Sequence, residues 1–397
     1  MKFFPKVTPK NANLYKPDEN PYPSQEAVDN MPDIYWHKVD NELCLRYQIW
    51  NSNTIKHSYN ESEKTFFQSD NNKLKRIIIS HGFGEHILVY ARLLNDLLKK
   101  FKDIEVCIFE YGGSGLGLPV ETLKKEYQEK LTNYNEDFIY PGPLSEQALY
   151  EAVGNKGNTN RDKQLFQLAH FVKFFKSGNA VGQIPENPNN CETILFGHSL
   201  GSQLATEYAF KYVPFDLALK DKSVKENYLV DNLILCAPLY LLSSPTRPPS
   251  PLLYISKMLS KLMPNVKIDS ELSVEEITDD KSMQRFFLND YPYLVPCIGS
   301  ILMFYQMIST GENMSSGDFF KKNKEAPREL LPKNVKWVHG DADGVNDING
   351  TKNVVKIVKE TFGESITGQF KTIKNGKHSL FACTDEIYND FLSYISS

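Results

Sequence analysis

The residues best able to do chemistry lie in one pentapeptide, Gly197-His198-Ser199-Leu200-Gly201. A short apolar run, Thr193-Ile194-Leu195-Phe196, precedes it, and a helix-compatible stretch from Gln203 to Tyr212 follows. Strand, sharp turn and helix with a serine at the tip form a nucleophile elbow. Such a turn is strained and its backbones crowd, so a side chain at Gly197 or Gly201 would strike the neighbouring strand or helix. Ser202 and Ala205 are small enough to let the following helix lie close to the sheet. Ser199 is expected above the sheet edge, within reach of a substrate carbonyl.

A serine hydroxyl is a weak nucleophile near neutral pH. It needs a base to take its proton, and the base needs an acid to orient it. In a strand–elbow–helix frame the acid and then the base follow the serine along the chain. Two histidines follow Ser199: His339 and His378. His339 reads as part of a strand. His378 falls in a loop after the last strand, Gly376-Lys377-His378-Ser379-Leu380, and is the expected base. The acid should follow the penultimate strand, where Asp341, Asp343 and Asp347 stand. Asp343 is the expected acid. Asp341 suits a turn, because Asp readily bonds its own backbone, and Asp347 is the fallback.

The oxyanion formed by acyl transfer needs two backbone N–H donors. One should be Leu200, the residue after the nucleophile; the other is assigned to Phe83 in His81-Gly82-Phe83-Gly84. His81 and His86 precede the elbow and are expected to shape this loop by hydrogen bonding. Gly112-Gly113-Ser114-Gly115 lacks both the P-loop lysine pattern and the full dinucleotide fingerprint, and reads as a tight turn.

The elements that must position these groups alternate along the chain. Strands are predicted over 33–39, 42–50, 76–80, 104–109, 193–196, 232–237, 335–339 and 369–373. Helices are predicted over 88–101, 163–176, 203–212 and 386–395. This alternation implies an α/β fold with a mostly parallel sheet and helices on both faces. Residues 1–32 read as a polar N-terminal extension, 33–238 and 334–397 as the two parts of the core, and 239–333 as an inserted lid. Residues 51–73 read as an exposed loop, and 121–160 as a charged, irregular surface insertion. The lid carries Pro245, Pro248, Pro249 and Pro251, then apolar runs over 252–263 and 294–307, which suit an apolar substrate portion.

Composition narrows the function. The 397 residues carry a formal net charge of −4, and no basic patch points to a nucleic-acid partner. The six cysteines form no C-x-x-C pair, which fits buried thiols in a reducing compartment and gives no metal signal. No signal-peptide pattern or membrane-length apolar run occurs, so a cytoplasmic location is expected, with peripheral contact to a membrane or lipid droplet through the lid. No cofactor is expected.

Taken together, the chain resembles the monoacylglycerol lipase and lysophospholipase group of α/β-hydrolases, the serine aminopeptidase S33 family. The resemblance rests on His81-Gly82-Phe83-Gly84-Glu85-His86 with Tyr90, on the elbow, on Gly340-Asp341-Ala342-Asp343 and on Gly376-Lys377-His378. Asp279-Asp280 and Phe286 to Pro292 are similar to the group's lid segment. The resemblance implies an α/β-hydrolase fold, Ser199 as nucleophile, Asp343 as acid, His378 as base, and Phe83 and Leu200 as oxyanion donors. Glu110-Tyr111 departs from the group's Asp-His. The activity expected is hydrolysis of acyl esters, such as monoacylglycerols or lysophospholipids. An alcohol acyltransferase using the same triad and a non-catalytic binding protein are the alternatives.

Overall fold

The computed structural model describes residues 22–40, 43–54, 73–101, 103–115, 117–127, 137–139, 145–184, 191–244, 246–248, 250–270, 273–290, 294 and 297–397. Most of the expected 51–73 loop lies outside these residues.

Six central strands are parallel: β3 (Leu74–Ser80), β4 (Ile104–Phe109), β7 (Cys191–His198), β8 (Asn232–Cys236), β11 (Asn334–Gly340) and β12 (Thr367–Ile373). They run in the order β12-β11-β8-β7-β3-β4. Beyond β4 the sheet turns antiparallel through β2 (Leu43–Trp50), β1 (Ile34–Lys38) and β6 (Asp137–Ile139), and β5 (Leu118–Pro119) pairs with β2. The mostly parallel sheet is as expected.

The core divides by the two-residue period of the strands. Ile78, Leu195, Leu233, Leu235 and Trp337 face helices Arg161–Lys176 and Ile348–Phe362. Ile77, Ile79, Ile194, Phe196 and Ile234 face helices Ala91–Lys100 and Asp385–Ser396. Burial on both faces explains why the central strands read as unbroken apolar runs rather than alternations.

Two sequence readings need correction. The 121–160 stretch is not irregular throughout: it holds helices Val120–Tyr127 and Glu146–Asn155 as well as β6. These elements are short and carry little apolar periodicity. The helix after the elbow continues to Leu217 with wider turns around Pro214, which has no N–H to give. Within 239–333, strands β9 (Lys267–Asp269) and β10 (Ile298–Ser300) pair antiparallel, and helices Ser250–Leu262 and Ile301–Ser315 flank them in the chain.

Candidate active site

Four candidate segments leave the carboxyl ends of parallel strands, the edge where open α/β sheets bind ligands. Residues 81–86 follow β3, Ser199 follows β7, Asp343 follows β11 and His378 follows β12.

Ser199 occupies the elbow with φ 51° and ψ −116°, a left-handed conformation that costs a side-chain-bearing residue energy. The neighbouring packing holds it there. Its N–H donates to the Cys236 carbonyl at 3.0 Å, and its own carbonyl accepts from Leu239 N–H at 3.1 Å. A Cβ on Gly201 would sit 1.9 Å from the Ser80 carbonyl oxygen, so only glycine lets the elbow helix touch the end of β3. Ser199 is buried, with 7 % exposure.

A second close approach joins the other two groups. A Cβ on Gly340 would lie 2.0 Å from the Gly376 carbonyl oxygen, so the turns after β11 and β12 meet backbone to backbone. Ala342 N–H donates to that same oxygen at 3.1 Å. His378 Nδ1 thereby reaches Asp343 Oδ2 at 2.9 Å. The other carboxylate oxygen, Oδ1, accepts the N–H groups of Val345 at 2.8 Å and Asn346 at 2.9 Å. Burial pushes this carboxyl up, but the His378 charge and the hydrogen bonds of His339 and His378 outweigh it and hold Asp343 well below the usual carboxylate range. The remaining aspartates do other work. Asp341 Oδ1 accepts Asn375 N–H at 2.6 Å in the turn after β12, and Asp347 caps helix Ile348–Phe362.

Among the described residues no hydrogen bond joins Ser199 Oγ to His378. Such bonds are often long in unliganded sites and tighten with substrate. The two loops are nonetheless in contact: the ring of His198, one residue before Ser199, lies 4.9 Å from the ring of His378.

Glu85 organises the loop after β3. Its Oε2 accepts Gly82 N–H at 2.6 Å and the Tyr90 hydroxyl at 2.5 Å, while its Oε1 lies 2.8 Å from His198 Nδ1. His198 Nε2 is 3.3 Å from the His378 carbonyl oxygen, which can only accept. Both ring nitrogens therefore face acceptors, the arrangement an imidazolium requires. Burial lowers the His198 pKa, and the Glu85 charge more than reverses this and raises it. Burial likewise raises Glu85, but the His198 charge and the hydrogen bonds it accepts bring it down to about 2. Tyr111 N–H donates to His81 Nε2 at 3.0 Å, so the His81 proton sits on Nδ1 and is given to the Gly82 carbonyl at 2.8 Å. Burial lowers the His81 pKa, which keeps this ring neutral. Among the described residues neither the Phe83 nor the Leu200 N–H donates a backbone hydrogen bond outside its own element.

Besides Leu239, other residues of the 239–333 stretch touch the site. His86 Nε2 donates to Asp290 Oδ2 at 2.5 Å. His378 N–H and Ser379 N–H donate to the carbonyls of Glu276 and Ile277 at 3.3 and 2.8 Å. The Phe83 ring meets Phe304 edge-on at 5.2 Å.

Sequence reasoning missed the Glu85–His198 pair and the contact of His339 with Asp343. The signal for the first was present in two motifs read separately: a glutamate after the β3 loop and a histidine in the elbow. Among the described residues no cluster of side chains suits a metal ion, and no helix is long and apolar enough to cross a membrane.

The sheet, elbow and strand-end loops are those of the α/β-hydrolases, and the enzyme class they define is that of the serine carboxylic-ester hydrolases. Residues 167–385, more than half of the chain, match the family model described as "Serine aminopeptidase, S33", and the chain belongs to that family. It is 24 % identical over 327 residues to the monoglyceride lipase of Saccharomyces cerevisiae, covering 81 % of this chain and 83 % of that one. It is 23 % identical to a putative monoglyceride lipase of Schizosaccharomyces pombe, covering 70 % of this chain and 56 % of that one. Among solved structures it is similar to a soluble variant of the S. cerevisiae monoglyceride lipase in complex with a substrate analog. The TM-score is 0.65 at 21 % identity, over 95 % of this chain and 96 % of that one. The monoacylglycerol lipase of Paleococcus ferrophilus gives a TM-score of 0.54 at 15 % identity, over 89 % and 96 %.

Proposed function

We propose that this enzyme cleaves acyl esters of glycerol-type lipids, monoacylglycerols or lysophospholipids, through Ser199, His378 and Asp343. The observation that carries the reading is the 2.9 Å contact between His378 Nδ1 and the buried, ionised Asp343. It points the other imidazole nitrogen away from the acid and leaves it to act as a base. Ser199 Oγ attacks the acyl carbon while His378 Nε2 takes its proton. The oxyanion is held by Phe83 and Leu200 N–H. His378 returns the proton to the departing alcohol, leaving an acyl-Ser199 ester. A water then attacks that ester, gives its proton to His378, and releases the fatty acid and the free serine.

Residues 239–333 act as the lid in this reading. Ile255, Met258, Leu262, Met263, Val266 and Ile268 are exposed together on it, with Lys257 and Lys261 exposed among them. An apolar patch edged by cations suits the surface of a membrane or lipid droplet. Cys107, Cys191, Cys236, Cys297 and Cys383 are free thiols, in keeping with work in the cytoplasm.

The test is turnover of p-nitrophenyl esters and monoacylglycerols of increasing acyl length by the wild type and Ser199→Ala. Activity on the lipid esters that disappears in the variant supports the reading. Undiminished turnover by the variant, or product that is mainly a new ester when modest glycerol is added, contradicts it.

A further inference from the structure

His339 sits at the end of β11 and is completely buried. Its Nδ1 is 2.8 Å from Thr351 Oγ1, and its Nε2 is 3.0 Å from Asp343 Oδ2 and 3.3 Å from the Asn346 carbonyl oxygen. An ionised carboxylate and a carbonyl only accept, so the proton is on Nε2. Nδ1 then accepts the Thr351 hydroxyl proton. The same atom, Asp343 Oδ2, accepts from His378 Nδ1 at 2.9 Å. One carboxylate oxygen thus lies between two imidazoles.

We infer that His339 is a positioning residue that sets the basicity of His378 by sharing the Asp343 oxygen with it. The inference rests on the triad reading above and deepens it. The Nε2–H of His339, 3.0 Å from Oδ2, draws negative charge off that oxygen. Less charge remains to stabilise the His378 imidazolium, so the base is kept weaker and neutral to lower pH. The carboxylate itself is held by the N–H groups of Val345 and Asn346 on Oδ1 and by His378 on Oδ2, so the His339 ring meets an oxygen in a fixed place. Thr351 holds the His339 tautomer in the same way that second partners hold metal-bound histidines.

Other titratable groups nearby keep their places in this scheme. Cys236 lies on β8 beside Asp343, with its thiol pushed far up chiefly by burial. The Glu85–His198 pair lies on the far side of His378. Glu276 packs against Gly344, and Lys377 lies 3.7 Å from the Glu276 carboxylate. β12 places Thr372 beside His339, and helix Ile348–Phe362 presents Thr351.

The experiment compares the wild type, His339→Gln and His339→Leu for kcat and KM on a soluble ester from pH 5 to 9. Labelling of Ser199 by a fluorophosphonate reports an assembled site. Glutamine can place a donor near the Nε2 position, whereas leucine cannot. His339→Leu should move the acid limb of kcat/KM up by about one pH unit, which lowers the acid-side rate about tenfold, with KM unchanged. His339→Gln should keep the wild-type limb. A labelled His339→Leu protein with the wild-type limb overturns the inference. If leucine prevents folding, ¹⁵N NMR of histidine-labelled wild type decides: an Nε2–H tautomer of His339 supports the inference and an Nδ1–H tautomer overturns it. A wild type that no fluorophosphonate labels overturns the triad reading itself, and this inference with it.

Discussion

Glu85 Oε1 and His198 Nδ1 lie 2.8 Å apart, both side chains shielded from solvent, directly behind the residue expected to be the nucleophile. Through this pair the loop carrying Phe83, the elbow carrying Ser199 and the backbone of His378 are joined in one unit. Glu85→Gln removes the charge that a buried imidazolium needs. Breaking a buried pair from one side costs about 3–5 kcal/mol. A shift of that size in urea unfolding, with activity falling alongside, is expected. A variant as stable as the wild type would mean that His198 is neutral.

The pair also fixes a pH dependence of stability. Glu85 is depressed from an ordinary 4.5 to about 2, so its contribution is fully present above 4.5 and is lost as pH falls toward 2. His198 is raised above an ordinary 6.5, so its contribution is full below 6.5 and is lost as pH rises through the raised value. Wild type should therefore lose more stability than Glu85→Gln on both sides of a window from about 4.5 to 6.5. Parallel curves of unfolding free energy against pH for the two proteins would contradict this.

Asp343→Asn keeps the shape of the acid but offers His378 no charge. In a serine hydrolase with its triad intact, this change lowers kcat by about 10³–10⁴. Steady-state kinetics on a soluble ester at neutral pH should show that loss with a near-normal KM. Asp347→Ala, at the helix cap, should cost about 1 kcal/mol of stability and little rate. The opposite ranking would transfer the acid role to Asp347.

The exposed lid patch separates two activities. Serine at Ile255, Met258 and Leu262 should leave turnover of a dissolved short-chain ester unchanged, because these side chains face outward. Activity on monoacylglycerol presented in vesicles should fall about tenfold, as expected when roughly 1.4 kcal/mol of apolar surface binding is lost. Co-sedimentation with the vesicles should fall with it. Equal loss on both substrates would place the patch in the fold rather than at a lipid surface.

Much of this arrangement was legible in the chain, for physical reasons. Strands buried on both faces leave unbroken apolar runs such as Ile77-Ile78-Ile79, and an elbow cannot form without Gly197 and Gly201, so both features mark the sequence. The meeting of Asp343 with His378 followed from chain order and from loops leaving the same sheet edge. His339 was legible as a strand residue, but its contact with Asp343 depends on a turn that folds the chain back within four residues. The Glu85–His198 pair joins two motifs more than a hundred residues apart, and no local pattern announces it. Helices Val120–Tyr127 and Glu146–Asn155 escaped because each spans too few residues to impose a clear period.

The central claim is that Ser199 becomes acylated. Rapid mixing with a p-nitrophenyl ester, followed by acid quench and mass spectrometry of peptides, measures this directly. A burst of p-nitrophenol approaching one equivalent, with the acyl mass on the peptide containing Ser199, is the predicted result. An acyl mass on another residue, or full turnover with Ser199 replaced by alanine, would contradict it.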